Sequence, residues 1–467
     1  MALGRHGGDR QEELWIVSSE VPRSAGHVFY EKLNELLHDA GFDVWLEGLC
    51  ESYYSNTGRR SIPPGVYFRM LLVGYFEGLG SQRGIAWRCS DSLSLRSFLG
   101  LSLTDSSPDH SSLTRIRDRL PMDVHHEVFR FVLRVASEHG LIQAKQVAVD
   151  ATTLEANAAM KSIVRRDTGD DWKAYLKKLM VAAGEISEDD DPTDEDLRRF
   201  DKRRKDKKVS NQDWESTSDP DSRITKMKDG RTHLAHKAEH VIDLQTEIIL
   251  AAPVYPADSG DCTTLPDSLV EAQMALDAVG IETPIAEVVA DKGYHSAASL
   301  EVIEFLGMRS YIPEPKLKHK RKWKDKDPET KRAAYANRRR TRTAKGKRLQ
   351  RQRSERVERS FAHVCQTGGA RRAWLRGEEK VGKRHLMAAM GHNLGVVMRS
   401  LFGVGTARSF QGLAALAWAL YPTQIAPWQI SSLLITSKRM MTTLSKTLER
   451  AMQNFKSLAD MRFSTAC

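Results

Sequence analysis

The chain has 467 residues, 40% of them apolar and 28% charged, with a net charge of +10. That composition excludes global disorder and suits a globular protein of two or three domains. The first residues lack an apolar run, the most apolar late stretch (412–421) stops at Pro422, and the five scattered cysteines form no CxxC pair. A secretory signal, a membrane span, a disulfide framework and a zinc knuckle are therefore not expected, and a reduced, cytosolic protein is.

From about residue 26 to 140 the apolar spacing is helical. His27–Leu37, Gly65–Leu79 (after Pro63 and Pro64), Ser81–Cys89, Leu93–Leu99, Ser112–Leu120 and Asp123–His139 read as helices. Asp109-His110-Ser111 supplies a cap for the fifth, and Gly140 ends the sixth. The Ser112–Leu120 helix carries Arg115, Arg117 and Arg119, so a helix-turn-helix DNA reader is one reading of this region. His125-His126 reads as a surface pair.

At residue 145 the pattern becomes β-branched. Lys145–Asp150, then Glu239–Leu244 and Glu247–Tyr255 about a Gln245-Thr246 turn, then Pro284–Ala290 and Met308–Ile312, read as strands. Ser296–Leu306, Gln350–Val364 and Lys383–Leu401 read as helices, which makes an α/β layout with a mixed sheet. Residues 161–230 are charged and irregular, and within them residues 188–208 alternate blocks of acid and base, which favours a solvated linker over a packed element there. His233, His236 and His240 would cluster on a helix as zinc ligands, but they run into a strand, where that spacing loses its meaning.

The positive charge is concentrated. Lys316–Arg353 holds 18 Lys or Arg and three acids, a net +15, which leaves −5 for the rest of the chain. The run is internal, contains Trp323 and Tyr335, and lies between candidate catalytic acids, so a polyanion is the expected partner.

Asp150 and Asp291 each follow a buried strand run directly, where open α/β sheets present polar groups. A carboxylate there is costly unless paired or bound to a cation. The third candidate lies in Arg353–Val364. Val357, Phe361 and Val364 define its buried stripe, which puts Glu358 about 90° and Glu355 about 150° from the stripe's centre. Glu358 is therefore chosen, with Arg356 and Arg359 beside it as phosphate or carboxylate partners. Three carboxylates suit hard divalent ions, and two such ions about 4 Å apart can activate a hydroxyl and stabilise a leaving oxyanion.

The blocks VAVDATTLEANAA (147–159), VVADKGYHSA (288–297) and RVERSFAHV (356–364) resemble the DDE-type transposases of bacterial insertion sequences, in particular the group with an N-terminal helical domain. LRSFLGLSLTDSSPDHSSLTRIRDRL (95–120) resembles that group's helical domain, and the likeness spans roughly residues 40 to 402. The resemblance implies a ribonuclease-H-like mixed sheet flanked by helices, behind an all-helical N-terminal domain. It places a helical, end-binding domain at 1–140, a catalytic domain at 141–402 with charged insertions at 161–230 and 316–353, and a tail of unassigned role at 403–467. Asp150, Asp291 and Glu358 would be the catalytic acids and the ligands of Mg²⁺, for which Mn²⁺ substitutes. The expected DNA contacts are Lys292, Tyr294, Arg115, Arg117, Arg338, Arg339, Arg340, Arg356 and Arg359, with Gly293 giving its turn a permissive backbone and Asn157 matching a block position.

The implied reaction is cleavage at terminal inverted repeats of double-stranded DNA and joining of the freed 3′-hydroxyl to target DNA. A cytoplasmic, nucleoid-associated homodimer or higher homo-oligomer without membrane contact would carry it out. A ribonuclease-H-like nuclease or resolvase that never joins ends, and a non-catalytic DNA-binding derivative, are the alternatives.

Overall fold

The computed structural model describes residues 25–406 except 56, 59–60, 206–209, 228 and 317–326. Trp323 and the tail from 407 lie outside the described residues.

Among the described residues, seven α-helices come first: α1 (Ala25–Asp39), α2 (Phe42–Cys50), α3 (Pro64–Glu77), α4 (Gln82–Asp91), α5 (Leu93–Phe98), α6 (His110–Arg119) and α7 (Met122–Glu138). The side chains of Ser81, Ser92 and Asp109 accept from the first turns of α4, α5 and α6, which satisfies N–H groups that a helix start leaves orphaned. The expected helices are all present, and α2 is additional. His125 is not on the surface: it is buried, between the Tyr67 hydroxyl (3.4 Å) and the Pro121 carbonyl (3.0 Å).

The remaining elements are β1 (Gln146–Glu155), β2 (Ile163–Arg165), α8 (Trp172–Ala182), α9 (Asp194–Arg203), β3 (Trp214–Ser216), β4 (Arg223–Lys226), β5 (Thr232–Asp243), β6 (Ile249–Ala251), β7 (Val254–Pro256), α10 (Asp261–Ala278), β8 (Glu287–Ala290), α11 (Ala297–Phe305), β9 (Arg309–Tyr311), α12 (Pro328–Arg342), α13 (Ala344–Phe361) and α14 (Glu378–Phe402). The main sheet runs β4-β5-β1-β8-β9, with β6 and β7 also on β5. β1 pairs antiparallel with β5, and β8 and β9 continue parallel, so an antiparallel meander passes into a parallel half. This is the expected ribonuclease-H-like sheet flanked by helices. The start of β1 (Val147–Val149) and the end of β8 (Val288–Ala290) are apolar on both faces, as buried parallel strands are, whereas β5 carries buried polar residues. The core is continuous from Phe29, Phe68 and Phe131 in the helices to Val147, Val149 and Val288 in the sheet.

Residues Asp194–Arg203, within the expected solvated linker, form a packed helix, α9, and the described residues around them are ordered into elements too. β2 and β3 form a two-stranded sheet, α8 and α9 pack together, and each pair buries its own small apolar cluster, including Ile163 with Trp214 and Leu176 with Phe200. The charge blocks have a local cause. Asp194, Glu195 and Asp196 fill the first turn of α9, Lys202 and Arg203 the last, and Thr193 with Asp196 closes a capping box, all of which match the helix dipole. The described part of the basic segment, from residue 327 on, is likewise built into the fold, as α12 and the first half of α13.

Candidate active site

The site forms where the parallel half of the sheet ends. Val149 of β1 is level with Ala290, the last residue of β8, so Asp150 and Asp291 stand side by side one residue further on. Asp291 caps the short turn that follows, accepting from the Gly293 N–H at 2.6 Å. Asp150 accepts from the Ala151 N–H at 2.9 Å and from Arg353 Nη1 of α13 at 2.7 Å. Burial pushes the Asp150 carboxyl above the usual range; Arg353 opposes the rise and the negative charge of Asp291 adds to it.

Helix α13 lies over this edge through Gln350, whose amide donates to the carbonyls of Ala290 (3.0 Å) and Tyr311 (2.5 Å), and through Arg353. Its buried face is Gly346, Leu349, Val357 and Ser360. The α-helix stops at Phe361 and widens into a π-helical turn over Ala362–Thr367, so Val364 does not continue the same spiral. The buried stripe is therefore centred closer to Arg353 than the sequence spacing implies. Glu358 is exposed, about 140° around the helix from Arg353, and accepts from the Ser354 hydroxyl at 3.2 Å. The structure brings Asp150 and Asp291 together and does not gather Glu358 with them. Among the described residues, no three of His, Cys, Asp and Glu stand close enough to hold a metal ion.

The opposite face of the sheet carries residues that the sequence reading missed. Lys237 and Glu239 on β5 are buried. Lys237 Nζ lies 2.8 Å from Asp261 at the start of α10 and 2.9 Å from Thr264 Oγ1. Glu239 accepts from Thr264 (3.0 Å), Tyr294 (2.7 Å) and Ser268. Burial raises the Glu239 carboxyl in spite of these donors. A Cβ on Gly293 would stand 2.6 Å from Asp261 Oδ2 and 2.9 Å from Asp291 Oδ1, so glycine serves here for close approach. The expectation of a special backbone conformation is corrected, because Gly293 has no positive φ. Charged residues two apart inside an apolar strand were the available signal for Lys237 and Glu239, and an arginine in the middle of a buried helical stripe was the signal for Arg353.

The expected DNA contacts divide. Lys292, Arg115 and Arg339 are exposed. Tyr294 is buried with its hydroxyl on Glu239, so it supports the Asp291 turn from inside and is not available to phosphate. Arg117 is buried as well. Arg338 forks onto Glu314 (3.0 and 3.1 Å), and Arg340 donates to the carbonyl (2.9 Å) and hydroxyl (3.1 Å) of Ser310, so they fasten α12 to the segment after β9 and to β9 itself. Arg359 pairs with Glu247 and Glu355 (2.5 and 2.6 Å). Arg356 is half-buried, and its Nη1, like Nε of Arg353, has no hydrogen-bond partner. Asn157 donates to the Trp374 carbonyl at 3.0 Å. The three histidines lie on β5, where His236 meets Asp219 (3.1 Å) and His240 meets Ser360 (3.0 Å) and His385 (2.9 Å).

Two family models match. One, described as Transposase domain (DUF772), covers residues 18–119, and the other, described as Transposase DDE domain, covers residues 314–398. No curated protein and no solved structure matches the chain.

Proposed function

We propose that this chain, a DDE-type transposase of insertion sequences by its two matching family models, cuts double-stranded DNA at terminal inverted repeats and joins the freed 3′-hydroxyl to target DNA. The observation that carries this reading is the level placement of Asp150 and Asp291 at the ends of adjacent parallel strands, beneath a helix rich in arginine. Two hard carboxylates at that spacing suit a divalent cation, and the Arg353 guanidinium on Asp150 indicates that positive charge is favoured there. Asp150 and Asp291 would hold Mg²⁺ or Mn²⁺, and Glu358, exposed on another side of α13, is not placed to join them. Bound there, the metal would lower the pKa of an attacking hydroxyl and offset charge on the leaving oxygen.

The chain's own residues do the rest. Arg353 and Arg356, each with a nitrogen lacking a partner, and the exposed Lys292 would receive phosphate oxygens and hold the strand in line. Tyr294 and Glu239 keep the Asp291 turn rigid from beneath. The fold contains no described helix long and apolar enough to cross a membrane. We assign the protein to the cytoplasm and nucleoid, as a homo-oligomer on paired ends.

The test uses purified protein, a labelled end fragment, a target plasmid and Mg²⁺. Wild type should yield both nicked ends and joined product, and Asp291→Asn neither, with binding retained. Nicked ends without joined product would reduce the activity to that of a nuclease. Equal activity of Asp291→Asn would remove the site.

A further inference from the structure

A cavity of about 300 Å³ lies away from the carboxylate edge, between α3, the start of α4, α6, the 368–375 segment and α14. Four cationic side chains line it (Arg83, Arg117, Lys383 and Arg384), and no acidic one does. Lys383 is engaged by Glu379 at 2.6 Å, and Arg83 leans on His110 at 3.4 Å. The other two are less satisfied. The Arg117 side chain is only 8% exposed and its Nε has no hydrogen-bond partner, Asp118 being 3.9 Å away and itself paired with Lys380 at 3.0 Å. Arg384 donates only to the carbonyls of Arg372 (3.2 Å) and Gly369 (2.7 Å). Burial lowers its pKa to about 10.

A buried guanidinium whose one carboxylate is distant and shared, or that has none, is costly, and an incoming anion relieves it. Ser81 caps α4 at the same wall, so the positive end of a ten-residue helix also faces the cavity. Apart from Gln82, His110 and Ser81, the rest of the lining is apolar or aromatic and includes Tyr67, Leu71, Ile85 and Met387, beside the half-exposed Trp374. A bare phosphate would leave that surface unused. The volume is near the lower end of the roughly 300–1,000 Å³ of small-ligand pockets, which admits one ring system with one anionic group and excludes a duplex.

We propose that this cavity binds a single nucleotide unit, its base against Trp374 and its phosphate toward Arg117 and Arg384. Stacking on an aromatic and pairing with guanidinium is the chemistry that accepts any base and requires the anion. The ligand class rests on the cavity alone. Only its source, a free mononucleotide or an unpaired nucleotide of bound DNA, rests on the transposase reading.

The experiment uses the full chain, dAMP in calorimetry, and labelled duplexes that are either fully paired or carry one unpaired terminal nucleotide, followed by anisotropy. Two variants probe the cavity. Trp374→Ala removes the ring, and Gly80→Ala places a Cβ 2.7 Å from the Trp374 indole nitrogen without changing charge. Trp374→Phe controls for folding and should restore binding. Saturable dAMP binding that weakens at least tenfold in both variants supports the proposal with a free nucleotide as source. A preference for the unpaired nucleotide, abolished in both variants while affinity for the paired duplex holds, supports it with DNA as source. Wild type showing neither, or variants unchanged in both, overturns it. Failure to bind any duplex while dAMP binding persists would strike the transposase reading and leave the cavity's assignment standing.

Discussion

Gly293 leaves room for two carboxylates from different elements, Asp261 on α10 and Asp291 after β8. A methyl group there must displace one of them, and because Asp261 is held by Lys237, the Asp291 turn should yield. Gly293→Ala is expected to destabilise the fold by about 1–3 kcal/mol, the usual range for overpacking, and to abolish strand cleavage. Adding Asp261→Ser should recover part of the stability in thermal unfolding, and purely additive effects would exclude the clash. Asp150 makes a separate demand. Its carboxyl titrates above the ordinary range because it is buried, so folding takes up a proton at this group. The resulting penalty is fully present above the raised folded value and disappears as the pH falls below the unfolded value of about 3.9. Metal ligation needs the carboxylate form, so Mn²⁺ affinity should fall as pH drops through the raised value, with a proton released on binding above that of Asp150→Asn. Calorimetry in two buffers of different ionisation enthalpy measures that proton, and identical release in wild type and variant would dismiss Asp150 as a ligand.

The elements that hold these residues depend on a few buried polar contacts. Asn337 of α12 accepts from the Ile312 N–H at 2.9 Å and donates to the Ile312 carbonyl at 2.7 Å, replacing the strand partner that the sheet edge lacks beyond β9. Asn337→Leu strands both groups and should cost about 2–6 kcal/mol in urea unfolding, from roughly 1–3 kcal/mol for each of the two unsatisfied groups; a change below 1 kcal/mol would show that water replaces the amide. Such contacts explain what could be read from the chain. The strands β1 and β8 and the acids that follow their apolar runs were legible, because buried parallel strands read as unbroken apolar runs. Helix α10 was not, because Pro266 interrupts its pattern. That missing N–H leaves the Cys262 carbonyl to accept from Ser299 at 2.9 Å instead, a tertiary contact that no local spacing encodes. The face of α13 was misjudged for a similar reason, since a π-helical turn shifts the spiral after Phe361.

At the scale of the molecule, the net +15 of residues 316–353 is shared between two tasks. Arg338 and Arg340 are consumed in fastening α12, whereas Arg339, Arg342, Lys347, Arg348 and Arg351 are exposed along α12 and α13. The exposed residues lie on the elements that reach the carboxylate edge, since α13 is the helix that carries Arg353 to Asp150. A polyanion drawn to that surface is thus delivered to the acids. The two groups of arginines should separate in experiment. Replacing Arg339, Arg342 and Arg348 with Gln is expected to weaken binding equally for end sequences and random duplex, and to reduce the slope of log affinity against log salt by about 0.9 for each phosphate that is no longer neutralised. Arg338→Gln with Arg340→Gln should instead lower the unfolding midpoint and change the slope little, because their charges are already neutralised or bound to backbone. Equal salt slopes for wild type and the exposed triple variant would place the DNA on another face, and the route from basic surface to catalytic edge would then have to run elsewhere.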